Sequence, residues 1–304
     1  MLSNGLVTSR QGIPLPSFPG LSLQNGKVQI RSHIARPFDL SDPWNRAVLA
    51  LSPIAAVIGA YLTIFQDREP FLAVQAGGTA FLSWALCREL DPDRQVPAIV
   101  LTVFGGGWAL LGDETAILPF AGLLLVARLL VESTGRRPLP TDLAVVAVIA
   151  SVISFTPLGW VMGFGVAVAV YVDDRMAETS NRAALIAAMA AAVGSSVVAS
   201  LTDAFPREMP SFRPILIASL GMVAVIAVLR EPVDPVSFVD SRNKRFLRRD
   251  RVHAGRVTAA ILVFIGSVVA GQGALAVVPM ALVIVTALAS TEVERLQRAT
   301  PGSV

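Results

Sequence analysis

Residues 142–172 read DLAVVAVIASVISFTPLGWVMGFGVAVAVYV, an apolar stretch whose one strong interruption is Pro157-Leu158-Gly159. Proline disfavours the helical region for the residue before it, and glycine weakens a helix interior. The stretch therefore predicts two helices, 142–156 and 158–172, joined by a tight turn. The alternative is one long helix, and it would reverse the orientation of everything downstream.

Charge decides between the two. Lys and Arg collect in short loops on the cytoplasmic side of a membrane. Apolar runs occupy 47–65, 71–87, 97–112, 115–131, 142–156, 158–172, 183–202, 214–229, 257–272 and 274–290. With the N-terminus inside and the hairpin kept, all of the 25 basic residues except Arg68, Arg207 and Arg213 fall on the inner side. Merging 142–172 into one helix would instead place Arg242, Lys244, Arg245, Arg248, Arg249, Arg251 and Arg256 outside.

The expected fold is thus all-α: a polytopic integral membrane protein of about ten transmembrane helices in five hairpins, with both termini cytoplasmic. Several runs, among them 142–156, 158–172 and 257–272, are shorter than the roughly 20 residues that span the hydrocarbon core, so thinning or re-entrant helices are alternatives for them. The chain divides into an N-terminal arm, 1–46, spans one to eight over 47–230, a basic loop over 231–256, spans nine and ten over 257–291, and a tail, 292–304.

Composition leads to the same class. Of the 304 residues 54% are hydrophobic and 15% charged, and the mean hydropathy is +0.64. A soluble domain carries about 25% charged residues. A soluble enzyme, a nucleic-acid-binding domain and a disordered regulator are all at odds with these values. Cys87 is the single cysteine and has no disulfide partner in the chain, and His33 and His253 lie outside the apolar runs, so a histidine-built metal or haem site in the membrane is not expected. Lys27 and Lys244 are the only lysines, a bias that points to a GC-rich bacterial genome and hence to a bacterial cytoplasmic membrane.

The arm shows no basic segment followed by an apolar core, so a cleavable signal peptide is not expected. Gly12, Pro14, Pro16, Pro19 and Gly20 mark it as irregular, and Arg36, Phe38, Trp44 and Arg46 suit the headgroup level. The basic residues from Arg230 to Arg256, including Arg245, Arg248 and Arg249, are expected to bind anionic lipid heads at about 1 kcal/mol each.

A repeat is also legible. Arg88-Glu89-Leu90-Asp91-Pro92 closes span two, and Arg230-Glu231-Pro232-Val233-Asp234-Pro235 closes span eight. Pro119 precedes Glu132 by the same interval as Pro279 precedes Glu292. Spans 1–4 and 7–10 then form parallel repeats, one known plan among transporters. The plainer alternative is that proline and acids recur at helix ends in any polytopic protein.

Chemistry is sparse inside the runs. Arg128 is the one charge set well within a run, and no midplane carboxylate is present for proton coupling. The leading functional expectation is a permease-like protein for a small solute or lipid, requiring no cofactor. Its path would be lined by Gln75, Gln272 and the glycine-broken spans three, with Gly105, Gly106 and Gly107, and nine. Ser151, Ser154 and Ser195 are expected to hydrogen-bond between helices, and span seven, rich in alanine, to lie centrally.

A second reading starts from the acids. Asp91 and Asp93 close span two, and Asp173 and Asp174 close span six; were those ends adjacent, their carboxylates could hold magnesium, with Arg94 and Arg175 binding a diphosphate. This placement resembles the two aspartate-rich loops of the intramembrane prenyltransferases, and Arg136-Arg137-Pro138-Leu139-Pro140-Thr141 resembles a further stretch of that family. The likeness is confined to these patches: the first motif lacks its Asn-Asp start, the acid spacing differs in both, and the Arg-Pro patch follows span four. The resemblance implies a magnesium-dependent transferase acting on a prenyl or lipid diphosphate at the cytoplasmic face. A third reading is a noncatalytic scaffold that uses the basic loop and the arm. A protein partner or a homo-oligomer is left open.

Overall fold

A computed structural model of the chain describes residues 21–24, 27–30, 34, 38–112, 116–134, 136–177, 179–204, 247–270 and 275–287. Span eight, the basic loop up to 246, Arg245, Gln272 and the tail lie outside the described residues. The arm departs from its irregular expectation at one place, where β1 (Leu21–Gln24) pairs antiparallel with β2 (Lys27–Ile30).

The helices are α1 (Pro43–Gln66), α2 (Leu72–Leu90), α3 (Val96–Leu111), α4 (Ile117–Val131), α5 (Pro140–Ile153), α6 (Pro157–Met176), α7 (Arg182–Leu201), α8 (Arg249–Val269) and α9 (Leu275–Ala287). They fall on the expected apolar runs other than 214–229. Their starts carry the expected chemistry. Asp42 accepts the Trp44 N–H ahead of Pro43, Thr156 accepts the Gly159 N–H ahead of Pro157, and Asn181 accepts the Ala183 N–H. Asp142 reaches back to the Leu139 N–H. Helices α1, α7 and α8 are long and apolar enough to cross a membrane, and α3, α4, α5 and α9 are shorter apolar helices.

The break at Pro157 is real. Helix α5 ends at Ile153, α6 begins at Pro157, and the two run antiparallel with Gly163 of α6 against Ala150 of α5 and Ser154, which caps it. Two expectations are corrected. Helix α3 runs unbroken through Gly105, Gly106 and Gly107, and α8 runs unbroken through Gly266, because packing against neighbours offsets the propensity cost of glycine. Helix α7 is not central. Its Ala187, Ala188, Ala191 and Ser195 are buried against α5 and α6, whereas Ile186, Met189, Val193 and Val197 are exposed.

Helices α2, α4 and α6 run parallel, and α8 packs antiparallel against all three. Helices α1 and α3 cover α2, while α5 and α7 cover α6. The outward faces carry large apolar side chains, among them Ile54, Val57 and Ile64 on α1 and Val145 and Val148 on α5. An apolar surface this extensive is unfavourable in water and neutral in hydrocarbon, consistent with a membrane protein.

Candidate functional site

The two ends of the α2–α4–α6–α8 group differ in chemistry. One end is a layer of ion pairs. Arg128 of α4 donates from Nε to Glu89 Oε1 of α2 at 3.0 Å. Arg256 of α8 donates from Nε to the Leu90 carbonyl at 2.6 Å, with a second nitrogen 3.7 Å from Asp91 Oδ1. Arg251, one and a half turns earlier on α8, donates from Nη1 to Asp173 Oδ1 of α6 at 2.6 Å, and its Nε lies 3.3 Å from Glu132 Oε2 at the end of α4. Arg251 and Arg256 are only 2% and 1% exposed.

Local backbone serves this layer. Glu132 closes α4 in the left-handed region with φ 54°, a conformation that costs a non-glycine residue of order 1 kcal/mol. Its carboxylate is thereby turned to Arg251. Asp174 caps the loop into α7: it accepts from Ser180 Oγ at 2.8 Å and from the Asn181 N–H at 2.7 Å, with Arg137 at 3.7 Å. Burial acts to raise its carboxyl, and these hydrogen bonds with the Arg137 and Arg175 charges outweigh burial, so it titrates below its ordinary value.

The acids singled out by the second reading are thus distributed over separate partners. Asp91 pairs with Arg256 and Arg94, Asp173 with Arg251, and Asp174 with the α6–α7 loop. Asp93 is exposed. Helices α4 and α8 both pack between the ends that carry them, and among the described residues no group of three or more His, Cys, Asp or Glu is placed to hold a metal ion. Arg175 lies over the Tyr171 ring and donates to its hydroxyl. Arg248 pairs with Asp250, and Arg249 is exposed at the start of α8.

Sequence reasoning missed the role of Arg251 and Arg256. It placed them in a lipid-binding loop ending at 256, whereas α8 begins at Arg249 and carries both into the bundle. Local pattern gave no signal for this: Arg251 stands in the alternating run Arg249-Asp250-Arg251, which reads as solvated.

The opposite end holds a cavity of about 590 Å³ between the starts of α2, α4, α6 and α9 and the ends of α5 and α8. Phe71, Val74, Ile117, Leu118, Ile153, Phe155 and Leu158 make most of its wall. Among the described residues Gln75 and Thr156 are the lining residues with polar side chains. Gly105 and Gly106 do not line it; they sit where α3 meets α2 and α1, against Ser83, Ala80 and Ala55, and Gly107 faces open space.

Comparison of the chain with protein-family models, curated proteins and solved structures returns no match.

Proposed function

We propose that the chain is a permease-like membrane protein, for a small solute or a lipid, held with its path open at one end and closed at the other. The observation that carries this reading is that α2, α4, α6 and α8 flank the cavity at one end and are tied together by buried and half-buried ion pairs at the other. Ion pairs that bridge separate helices are discrete contacts, and a bundle can exchange them as it rocks between two arrangements.

The ion-pair end is cytoplasmic in this reading. Arg88, Arg94, Arg128, Arg136, Arg137, Arg175, Arg182, Arg251 and Arg256 gather there, against Arg68 at the other end among the described residues. The membrane is then the cytoplasmic membrane of a bacterium.

Proteoliposomes test the reading. The purified protein should accelerate either glycerol entry, read by light scattering, or the flipping of a fluorescent phosphatidylcholine, read by external quenching. Glu89→Gln and Arg128→Gln should raise whichever rate is present, by loosening the closed end. Absence of both activities from the wild type and both variants would overturn it.

A further inference from the structure

We infer that the cavity takes a neutral, membrane-borne amphiphile: a hydrocarbon body with one uncharged hydrogen-bonding group set at Gln75. The inference rests on the permease reading for what the cavity serves, and it goes further by naming the class of occupant.

The described lining carries no charge. Among the described residues none around the cavity is ionisable, and an ion brought into such surroundings without a counter-ion is strongly disfavoured. Two polar groups face it. Thr156 accepts the Gly159 N–H as the cap of α6 and keeps its hydroxyl proton to donate, whereas the Gln75 side-chain amide has no hydrogen-bond partner among the described residues and offers both donor and acceptor. An unpartnered amide on an apolar wall fixes where a ligand's hydroxyl or carbonyl sits.

The rim says where the ligand comes from. Phe71, Val74, Leu118 and Phe155 are 69%, 63%, 50% and 52% exposed. In water these side chains would form an unfavourable apolar patch, and against hydrocarbon they cost nothing. An entrance of this kind admits molecules dissolved in the bilayer. The volume of about 590 Å³ lies within the range of roughly 300–1,000 Å³ typical of small-molecule sites.

The test uses the full chain in nanodiscs and a hexadecanol bearing a photoreactive diazirine, with labelled peptides mapped by mass spectrometry. Labelling should concentrate at Phe71, Val74 and Leu118 and be displaced by hexadecanol. Palmitate anion and hexadecyltrimethylammonium should displace it roughly a hundredfold less well. Hexadecane should be weaker than hexadecanol by about three- to tenfold, and Gln75→Leu should erase that difference. Val74→Trp, a change at an exposed rim position, should cut labelling at Leu118 while the unfolding temperature stays put. Labelling spread evenly over the outward faces of α1 and α7, or equal displacement by palmitate, would overturn the assignment. Because the readout is occupancy, site-specific labelling without flux would sustain it while the permease reading fails, and flux without cavity labelling would do the reverse.

Discussion

Arg251 and Asp173 stand 2.6 Å apart, Nη1 to Oδ1, joining α8 to α6 with both side chains almost wholly buried. Removing one partner strands a buried charge, which costs far more than the intact pair contributes. Arg251→Leu should therefore lower stability by about 3–5 kcal/mol, since it leaves both Asp173 and Glu132 without their cation. The double variant Arg251→Leu/Asp173→Leu should recover part of that loss. Thermal unfolding in detergent measures both, and an unfolding temperature for Arg251→Leu equal to the wild type would show that the pair is not a structural clamp.

Glu89 meets Arg128 through Oε1, and its Oε2 is buried with no hydrogen-bond partner among the described residues. Glu89→Gln preserves the shape and removes the carboxylate charge, so that Arg128 donates to a neutral amide oxygen and the ion pair is lost. The expected loss of stability is about 1 kcal/mol, well below that of Arg251→Leu, because the Arg128 side chain is partly exposed and keeps its hydration. A drop as large as that of Arg251→Leu would mean that Glu89 holds more than this one contact.

Asp174 gives a pH signature. Its folded carboxyl titrates below the ordinary value of 3.8, so it binds fewer protons than the unfolded state over the interval between the two values. Its contribution is fully present above the ordinary value and is lost as pH falls through the folded one. The gap in unfolding temperature between wild type and Asp174→Asn should be constant above that value and narrow below it. A gap that widened on acidification would contradict the assigned contacts.

Much of the fold could be read along the chain, because its determinants are local. Pro157 with Thr156 marks a helix start, Asp91-Pro92 a stop, and the apolar runs set helix positions to within a few residues. The start of α8 could not be read this way. Arg248, Arg249 and Arg251 form a charge run, and such a run reads as solvated; burial of Arg251 and Arg256 depends on Asp91, Glu132 and Asp173, which only the packing of α2, α4 and α6 brings to them. The cavity was partly legible: Gln75 stood out as a polar residue in an apolar run and does line it, while the glycines of α3 stood out equally and serve close packing.

The serines read as interhelical contacts lead to a last prediction. Ser195 makes such a contact, donating to the Ala150 carbonyl at 3.1 Å and tying α7 to α5, whereas Ser154 donates to that same carbonyl at 2.7 Å within its own turn and Ser151 to Ala147 within its own helix. Gly163 lies against this knot: a Cβ there would stand 2.2 Å from Ser154 Oγ and 2.4 Å from the Ala150 carbonyl oxygen. Gly163→Ala should destabilise by roughly 1–3 kcal/mol through overpacking. Adding Ser154→Ala should relieve only part of this, since the clash with the backbone carbonyl remains. Gly107→Ala, in the same kind of helix but with nothing within 4 Å of its Cβ, should be neutral or stabilising by up to about 1 kcal/mol. Opposite signs in the two unfolding temperatures would trace the effect to the close approach of α5, α6 and α7; equal effects would leave helix propensity as the whole cause.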